Sequence, residues 1–306
     1  MTAALRILAR FAGLLLAASV LIFLLLRAVP GDPARIALGV TATDEAVAAL
    51  SAKLGTDRPL FTQYIDWVAG LCTGRFGVSM SSGTDITALV LERAGVSLAL
   101  TLSAMALALV IAVPVGIFLA RRDRTPAGTA VAALTQLGIV VPSFLVAILA
   151  VGVFSVRLGW LPANGWGGVS NAVLPVAALA VVQAAILTRY VRSTIEEEME
   201  KDYVRTARAR GASIREVLFT RALKNAALPL LTVAGVQLSS LVVGAVVIER
   251  VFAIPGLGSM LIDAVGNRDL TTVQTLLMLL VAFTLLVNLV VDLLYAVVDP
   301  RVRRGH

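Results

Sequence analysis

Long charge-free runs alternate along the chain with short, strongly polar segments, and that alternation predicts the elements before any composition is counted. A helix that crosses a bilayer needs about 20 mostly apolar residues, and a charge at mid-membrane costs roughly 2.5–3.5 kcal/mol. Six stretches meet the demand: Phe11 to Leu26, Gly95 to Ala120, Ala127 to Val156, Leu158 to Thr188, Asn225 to Ile248, and Leu270 to Val291 running on toward Val298. Gly and Pro crowd the start of the fourth, so its crossing part is expected to be only Val173 to Thr188. The expected fold class is an all-α integral membrane protein with about six transmembrane helices. Arg6 and Arg10 precede the first run as in a signal peptide, but no small-x-small cleavage site follows it, so a retained anchor is expected.

The polar segments carry shorter periodic patterns. In "TDEAVAALSAKLG", Thr43 or Asp44 is a start signal, Val47, Leu50 and Leu54 share a face, and Gly55 is a stop. In "DRPLFTQYIDWVAG", Asp57 is placed near the cap and Pro59 in the first turn, with Phe61, Tyr64, Ile65 and Val68 at helical spacing beside Trp67. Two short amphipathic helices follow, suited either to the headgroup level, with Tyr64 and Trp67 as anchors, or to docking an external partner. Further on, Pro255, Gly256 and Gly258 are read as a turn, and Met260, Leu261, Ile262 and Val265 as another short apolar helix.

The segment from about Arg189 to Ala227 is unlike its neighbours, because it is dense in basic charge. Glu196 to Glu200 are read as the start of a helix, with Glu197 spaced to pair with Lys201. Lys201, Arg205 and Arg208 then fall on one stripe, and Val204 and Ala207 on another. Gly211 interrupts, and Ile214, Val217, Leu218 and Ala222 begin a second amphipathic helix that leads toward Pro229. Such a helix, turn and helix suits anionic headgroups or a protein groove, and the small Ala207 and Ala209 beside Gly211 permit close backbone approach.

Composition agrees with lipid as the solvent: 58% of residues are hydrophobic and 15% charged, with a mean hydropathy of +0.92. A soluble domain has roughly 45–50% apolar and 25% charged residues. The net charge of +7 would otherwise suggest nucleic acid, but its distribution answers differently. With the N-terminus inside, segments 1–10, 121–130, 189–227 and 299–306 hold 17 of the 26 Lys and Arg residues. That bias puts both termini in the cytoplasm and leaves nucleic acid out of the expected partners.

The residue inventory excludes several chemistries. Cys72 is the single cysteine and His306 the single histidine, so no disulfide, thiolate metal site or buried imidazole relay is expected. There is no G-x-x-x-x-G-K-[ST] loop to cradle a phosphate and no G-x-S-x-G elbow. Charged residues are nearly absent from the spans, Asp292 near the end of the last one excepted, which argues against ion-coupled transport. The polar residues within or near spans, Gln136, Gln183, Gln237, Ser239, Ser240 and Asn288, either line a pathway or join helices by hydrogen bonds. Pro114 and Pro142 are hinges or tolerated kinks.

Several colinear motifs resemble the membrane permeases of ATP-binding-cassette importers, specifically the peptide branch that includes dipeptide, oligopeptide, nickel and glutathione permeases. They are "PGDPA" after the first span, "LGTDRPLFTQYIDWVAGL", "VPSF" and "VRLGWLPANG" around the third, "DYVRTARARG" with "RALKNAALP", "VFAIPGLG", and "NLVVDLLYAVVDPRVR" at the end. Two positions depart: the general importer signature begins Glu-Ala-Ala where this chain has Arg205, Thr206 and Ala207, and the usual Gly-Asp-Leu-Gly reads Gly74, Arg75, Phe76, Gly77.

The resemblance implies a type I ABC importer permease fold: an N-terminal helix (1–30), an extracytoplasmic region (31–94), a permease domain (95–298) with its coupling loop at about 189–227, and a tail (299–306). It implies that Arg205, Thr206, Ala207, Arg208, Ala209, Arg210, Gly211, Ala212 and Ser213 form the loop that meets an ATPase subunit. Gln136, Gln183, Gln237, Ser240 and Asn288 are the candidates for lining a pathway. The chain would be non-catalytic and bind no cofactor, with ATP and Mg held by two ATP-binding subunits. A second permease and an extracytoplasmic substrate-binding protein complete the expected assembly in a bacterial cytoplasmic membrane. The implied cargo is di- or oligopeptides; nickel or another small solute, or a stand-alone carrier or channel, are the alternatives.

Overall fold

The computed structural model describes residues 2–28, 33–39, 42–122 and 125–298. The expected tail at 299–306, Pro30 to Asp32 of "PGDPA" and the end of the last motif lie outside the described residues. The rest is helical: α1 (Thr2–Arg27), α2 (Pro33–Leu38), α3 (Asp44–Leu54), α4 (Leu60–Cys72), α5 (Thr87–Arg122), α6 (Pro126–Val140), α7 (Ser143–Ala150), α8 (Val169–Glu200), α9 (Asp202–Ala209), α10 (Ile214–Val217), α11 (Leu223–Val251), α12 (Leu257–Gly266) and α13 (Leu270–Val298). Wide π-type turns extend α7 through Val151–Arg157 and join α10 to α11 through Leu218–Ala222. Among the described residues, five helices are long and apolar enough to cross a membrane, and six if a bent pair is counted as one span.

That bent pair covers the expected third span, and the bend falls at Pro142. The axes of 126–140 and 143–157 meet at 101°. Val141 is extended (φ −80, ψ 121) because the ring of Pro142 excludes the helical conformation from the residue before it. The fourth span differs, since α8 runs 32 residues with Pro175 inside it rather than starting near Val173. Pro175 falls in the second turn, where its missing N–H costs one hydrogen bond and the helix continues.

The chain divides into two compact units, one of residues 1–97 with 255–289, the other of 98–254 with 290–306. In the second unit α8 is central and packs against α6, α7 and α11. Its most apolar window has the lowest mean hydropathy of the five long spans, 1.9, and the largest buried share, 44%. Close approach explains the combination. A Cβ on Gly116 would lie 2.5 Å from the Val191 side chain and 3.1 Å from the Thr188 carbonyl, and one on Gly138 would lie 2.9 Å from the Ala185 methyl. Small residues where helices cross let backbones meet, and a helix covered by neighbours need not be as apolar as one facing lipid.

In the first unit, α3 and α4 form as read. The Thr43 side chain accepts the Ala46 N–H, and Gly55 closes α3 at φ 69. Pro59, placed by its sequence in the first turn of α4, instead precedes the helix with extended backbone (φ −55, ψ 141), and Asp57 does not cap it. Tyr64 and Trp67 dock α4 on α1: the Tyr64 hydroxyl shares a 2.8 Å hydrogen bond with Ser19, and Phe23 meets both rings at 5.4 and 6.2 Å.

Asp269 fastens the remainder of this unit. Its carboxylate caps α13 through the Thr272 N–H (3.2 Å) and hydroxyl (2.8 Å), and accepts the Ser79 hydroxyl, the Ser81 hydroxyl (3.2 Å) and the Met80 N–H (3.0 Å). Burial pushes its pKa up, but the hydrogen bonds from Ser79, Thr272 and Met80 outweigh burial and hold the carboxyl below its ordinary value. In the departing motif both glycines, Gly74 and Gly77, take positive φ (73 and 98). Arg75 is exposed, while Phe76 packs against the core of Ile86, Val90, Leu257, Met260 and Leu276.

Two predictions follow from this packing. Gly116→Ala is expected to lower stability by about 1–3 kcal/mol through overpacking against α8, whereas Gly13→Ala, with open space around it, leaves it unchanged or slightly raised; thermal unfolding of the detergent-solubilised chain distinguishes them. Because the Asp269 pKa is lowered on folding, its stabilisation is complete above the ordinary carboxylate value of about 4 and is lost as pH falls through the lowered value. The gap in unfolding midpoint between wild type and Asp269→Asn is therefore expected to narrow below about pH 4; a gap constant from pH 7 to 3 would contradict it.

Candidate functional site

The basic segment folds into two arms around a sharp turn. Glu196 to Glu200 do not begin a helix, as their charge suggested; they end α8, at the negative end of its dipole, where acidic residues disfavour continuation. Lys201 is extended (φ −67, ψ 151), and α9 begins at Asp202, with acid now at the favourable end. The ion pair here joins Lys201 to Glu198 rather than to Glu197. It forms because Glu198 faces inward.

Glu198 is 6% exposed, and its partners belong to the elements that follow. It accepts from the Lys201 ammonium and from the Tyr203 hydroxyl at 2.8 Å, and the Asn225 side chain adds a further hydrogen bond. One buried carboxylate thus ties the end of α8 to the start of α9 and to α11. The bond to Glu198 raises the Lys201 pKa, and burial followed by the same carboxylate raises that of Tyr203.

The first arm has a buried back and a charged front. Val204 and Ala207 pack with Val217, flanked by Met199, Tyr203 and Ala212. Arg205, Thr206, Arg208, Ala209 and Arg210 are exposed. The Arg205–Asp202 pair, at 3.4 Å and in solvent, contributes little. At the end of α9 the Ala212 N–H reaches the Ala207 carbonyl (3.1 Å) and the Gly211 N–H reaches that of Arg208 (3.0 Å), with Gly211 at φ +92. This is a Schellman turn, whose left-handed residue is normally Gly. A Cβ at Gly211 would meet nothing within 4 Å, so the demand for glycine is one of backbone conformation rather than space.

Ser213 opens the second arm by accepting the Glu216 N–H at 3.1 Å. Val217 completes the back of the first arm, while Leu218, Ala222 and Ala226 pack with Ile117, Val191 and Ile195. Ile214, expected on the same buried face, is 45% exposed at the turn. Residues 205–213 therefore form one protruding knob with a basic surface and a rigid root.

The polar residues of the spans do not gather in the same way. Gln136 is exposed on α6, Gln183 is buried on α8 with its Oε1 unpartnered, and Gln237 is half-buried on α11. Ser239 and Ser240 donate to carbonyls of their own helix at 3.3 Å. Asn288 and Asp292 are exposed on α13, and Asn288 belongs to the other unit. Pro114 lies inside a continuous α5, and Pro142 marks the break between α6 and α7.

At the turn read from Pro255, Gly256 and Gly258, Gly256 precedes α12, but Gly258 is buried inside that helix, not in the turn. Ala253 (φ 50) reverses the chain instead, with the Ile254 N–H returning to the Glu249 carbonyl at 2.8 Å. Leu257 donates its N–H to the Ser97 hydroxyl (2.8 Å), which satisfies an otherwise orphaned helix-start donor. Sequence reading missed Glu198, Asn225 and Asp269. Two signals were available: Asp269 immediately before the last apolar run is a cap signal, and Ser213 with Glu216 is the S-x-x-E capping box.

The family described as "Binding-protein-dependent transport system inner membrane component" matches residues 112–304, and its N-terminal companion, "Binding-prot-dependent transport system membrane comp, N-term", matches residues 4–101. The chain belongs to this family of multi-pass inner-membrane transport components. It is 36% identical over 292 residues to a "Probable peptide ABC transporter permease protein" of Sinorhizobium fredii, covering 93% of each. It is also 36% identical over 301 residues to the glutathione transport system permease protein GsiC of Salmonella choleraesuis, covering 97% of this chain and 98% of that one. Among solved structures, an inward-facing form of the MetNI methionine ABC transporter has a similar fold, with a TM-score of 0.61 and 21% identity over 70% of this chain and 98% of that chain.

The Glu198 network predicts a measurable coupling. Glu198→Ala is expected to cost about 2 kcal/mol and Tyr203→Phe about 1 kcal/mol, with the double variant less destabilised than the sum; strictly additive losses in thermal unfolding would show that the two side chains do not act as a bonded pair.

Proposed function

We propose that this chain is one permease subunit of an ATP-driven, binding-protein-dependent importer of di- or oligopeptides, and that residues Arg205 to Ser213 are its coupling element. The observation that carries this reading is the rigid basic knob at Gly211, held on α8 and α11 by Glu198, in a chain matched to the transport family over nearly its whole length. The peptide and glutathione names of relatives aligned almost end to end support a peptide cargo.

In this reading residues 95–298 are the permease domain, and the Lys and Arg distribution puts both termini and the knob in the cytoplasm. Two ATP-binding subunits, which hold ATP and Mg, seat the knobs of this chain and of a second permease. An extracytoplasmic binding protein delivers the substrate. ATP drives alternation only if it binds the closed ATPase pair more tightly than the open pair, since equal affinity shifts no population. Closure moves the knob, and its packed root carries α8 and α11 with it. Gln136, Gln183, Gln237, Ser240 and Asn288 are the proposed pathway residues, with Gln183 the most buried among them.

Two measurements test the proposal. Deletion of the gene is expected to abolish energy-dependent uptake of labelled dipeptides or longer peptides; intact peptide uptake with lost nickel uptake would overturn the cargo and keep the architecture. In the reconstituted importer, Gly211→Asp forces an L-residue into left-handed backbone at about 1–2 kcal/mol. It is expected to insert normally yet lose most substrate-stimulated ATPase activity, and full stimulation would remove Gly211 from the coupling role.

A further inference from the structure

One end of α5 has a feature that the transport reading does not use. Its charge-free stretch ends at Ala120, and Arg121 and Arg122 follow. Beside them a groove of about 600 Å³ opens between α5 and the segment joining α10 to α11. Its deeper wall is Val113, Pro114, Ile117 and Leu223, while Arg121 and Arg122 stand at one end.

The polarity runs in one direction. Val113 and Arg122 are nine residues apart, so the wall extends about 14 Å along the helix axis. That is about half of a hydrocarbon core of roughly 30 Å, the depth of one leaflet. The guanidiniums mark the headgroup level, and everything deeper is apolar. Among the described residues that line it, none is acidic. Arg122 lies over the Phe118 ring, 5.5 Å from its centroid, which orients one charge at the mouth. Phe219 lines the opposite side and is 47% exposed.

We infer that this groove binds one anionic phospholipid, with an acyl chain along Val113, Ile117 and Leu223 and the phosphate between the guanidiniums of Arg121 and Arg122. Arginine suits the role, because its planar fork engages phosphate oxygens in pairs and remains charged at an interface. A zwitterionic lipid offers the same chain and phosphate, but its own cation faces the two arginines. An apolar protein helix would fill the wall and leave the arginines unanswered. The bound lipid would rest against both α5 and the root of the knob, where its occupancy bears on how freely they separate.

The test is native mass spectrometry of the full chain released from detergent, with added phosphatidylglycerol or phosphatidylcholine of identical acyl chains. Wild type is expected to retain one phosphatidylglycerol in preference to phosphatidylcholine, and Arg121→Gln/Arg122→Gln to lose that preference by about thirtyfold, two arginines acting on one anionic headgroup. Arg205→Gln/Arg208→Gln, which removes equal charge elsewhere, is expected to keep it. Equal retention of both lipids by wild type, or an unchanged preference in the Arg121/Arg122 variant, would overturn the inference. A photoreactive residue at position 219 reads the occupant in intact membranes even where the arginine variant fails to fold: a lipid adduct supports the site, and a crosslink to a protein chain instead assigns the groove to a partner and refutes it.

Discussion

Two apolar helices in a bilayer gain nothing by hiding from water, so their contact rests on how closely their backbones can approach. In this chain two such approaches fall on α8, where Gly116 of α5 and Gly138 of α6 meet Val191 and Ala185 at distances that no added Cβ would permit. The least apolar of the five long spans is thereby the most covered, and it becomes the post around which the second unit is assembled. Dispersion across these contacts, rather than transfer out of water, holds it there.

That post continues beyond the apolar stretch to a carboxylate. Burying Glu198 would be costly if it stood alone, but its oxygens are answered by an ammonium, a phenol and an amide from the elements that follow. A buried, satisfied charge fixes one arrangement of the groups around it, since any shift leaves it short of a partner. The knob is consequently not a loose loop on two helices. Its Schellman turn, its Ser213 cap and the apolar contacts of Val204, Ala207 and Val217 give it an internal structure of its own.

Asp269 solves a similar problem in the first unit with different parts. The segment at 77–86 has only one bridge, between Val78 and Asp85, and is otherwise anchored by the buried Met80 and Ile86. A single carboxylate gathers Ser79, Met80, Ser81 and the start of α13. The exchange of the family's usual Asp for Arg75 falls outside this network on an exposed side chain, and the two glycines that shape the backbone are retained.

The sequence by itself determined where the chain enters lipid, the two short helices before α5, the stripes of the basic segment and the glycine that turns it. These depend on local periodicity, caps and the cost of charge in hydrocarbon, all of which are set by neighbours within a few turns. Only the tertiary structure decided that the third span breaks by 101°, that α8 starts early and is central, and that Glu198 and Asp269 are hubs. Hydropathy ranked α8 low because it scores exposure to lipid, and α8 faces protein. Glu198 looked like one of four glutamates in an acidic run, and the pattern pointed to Glu197 for the pairing with Lys201. Which carboxylate is buried depends on the rotation of α8 against α9 and α11, a long-range outcome that no local pattern carries.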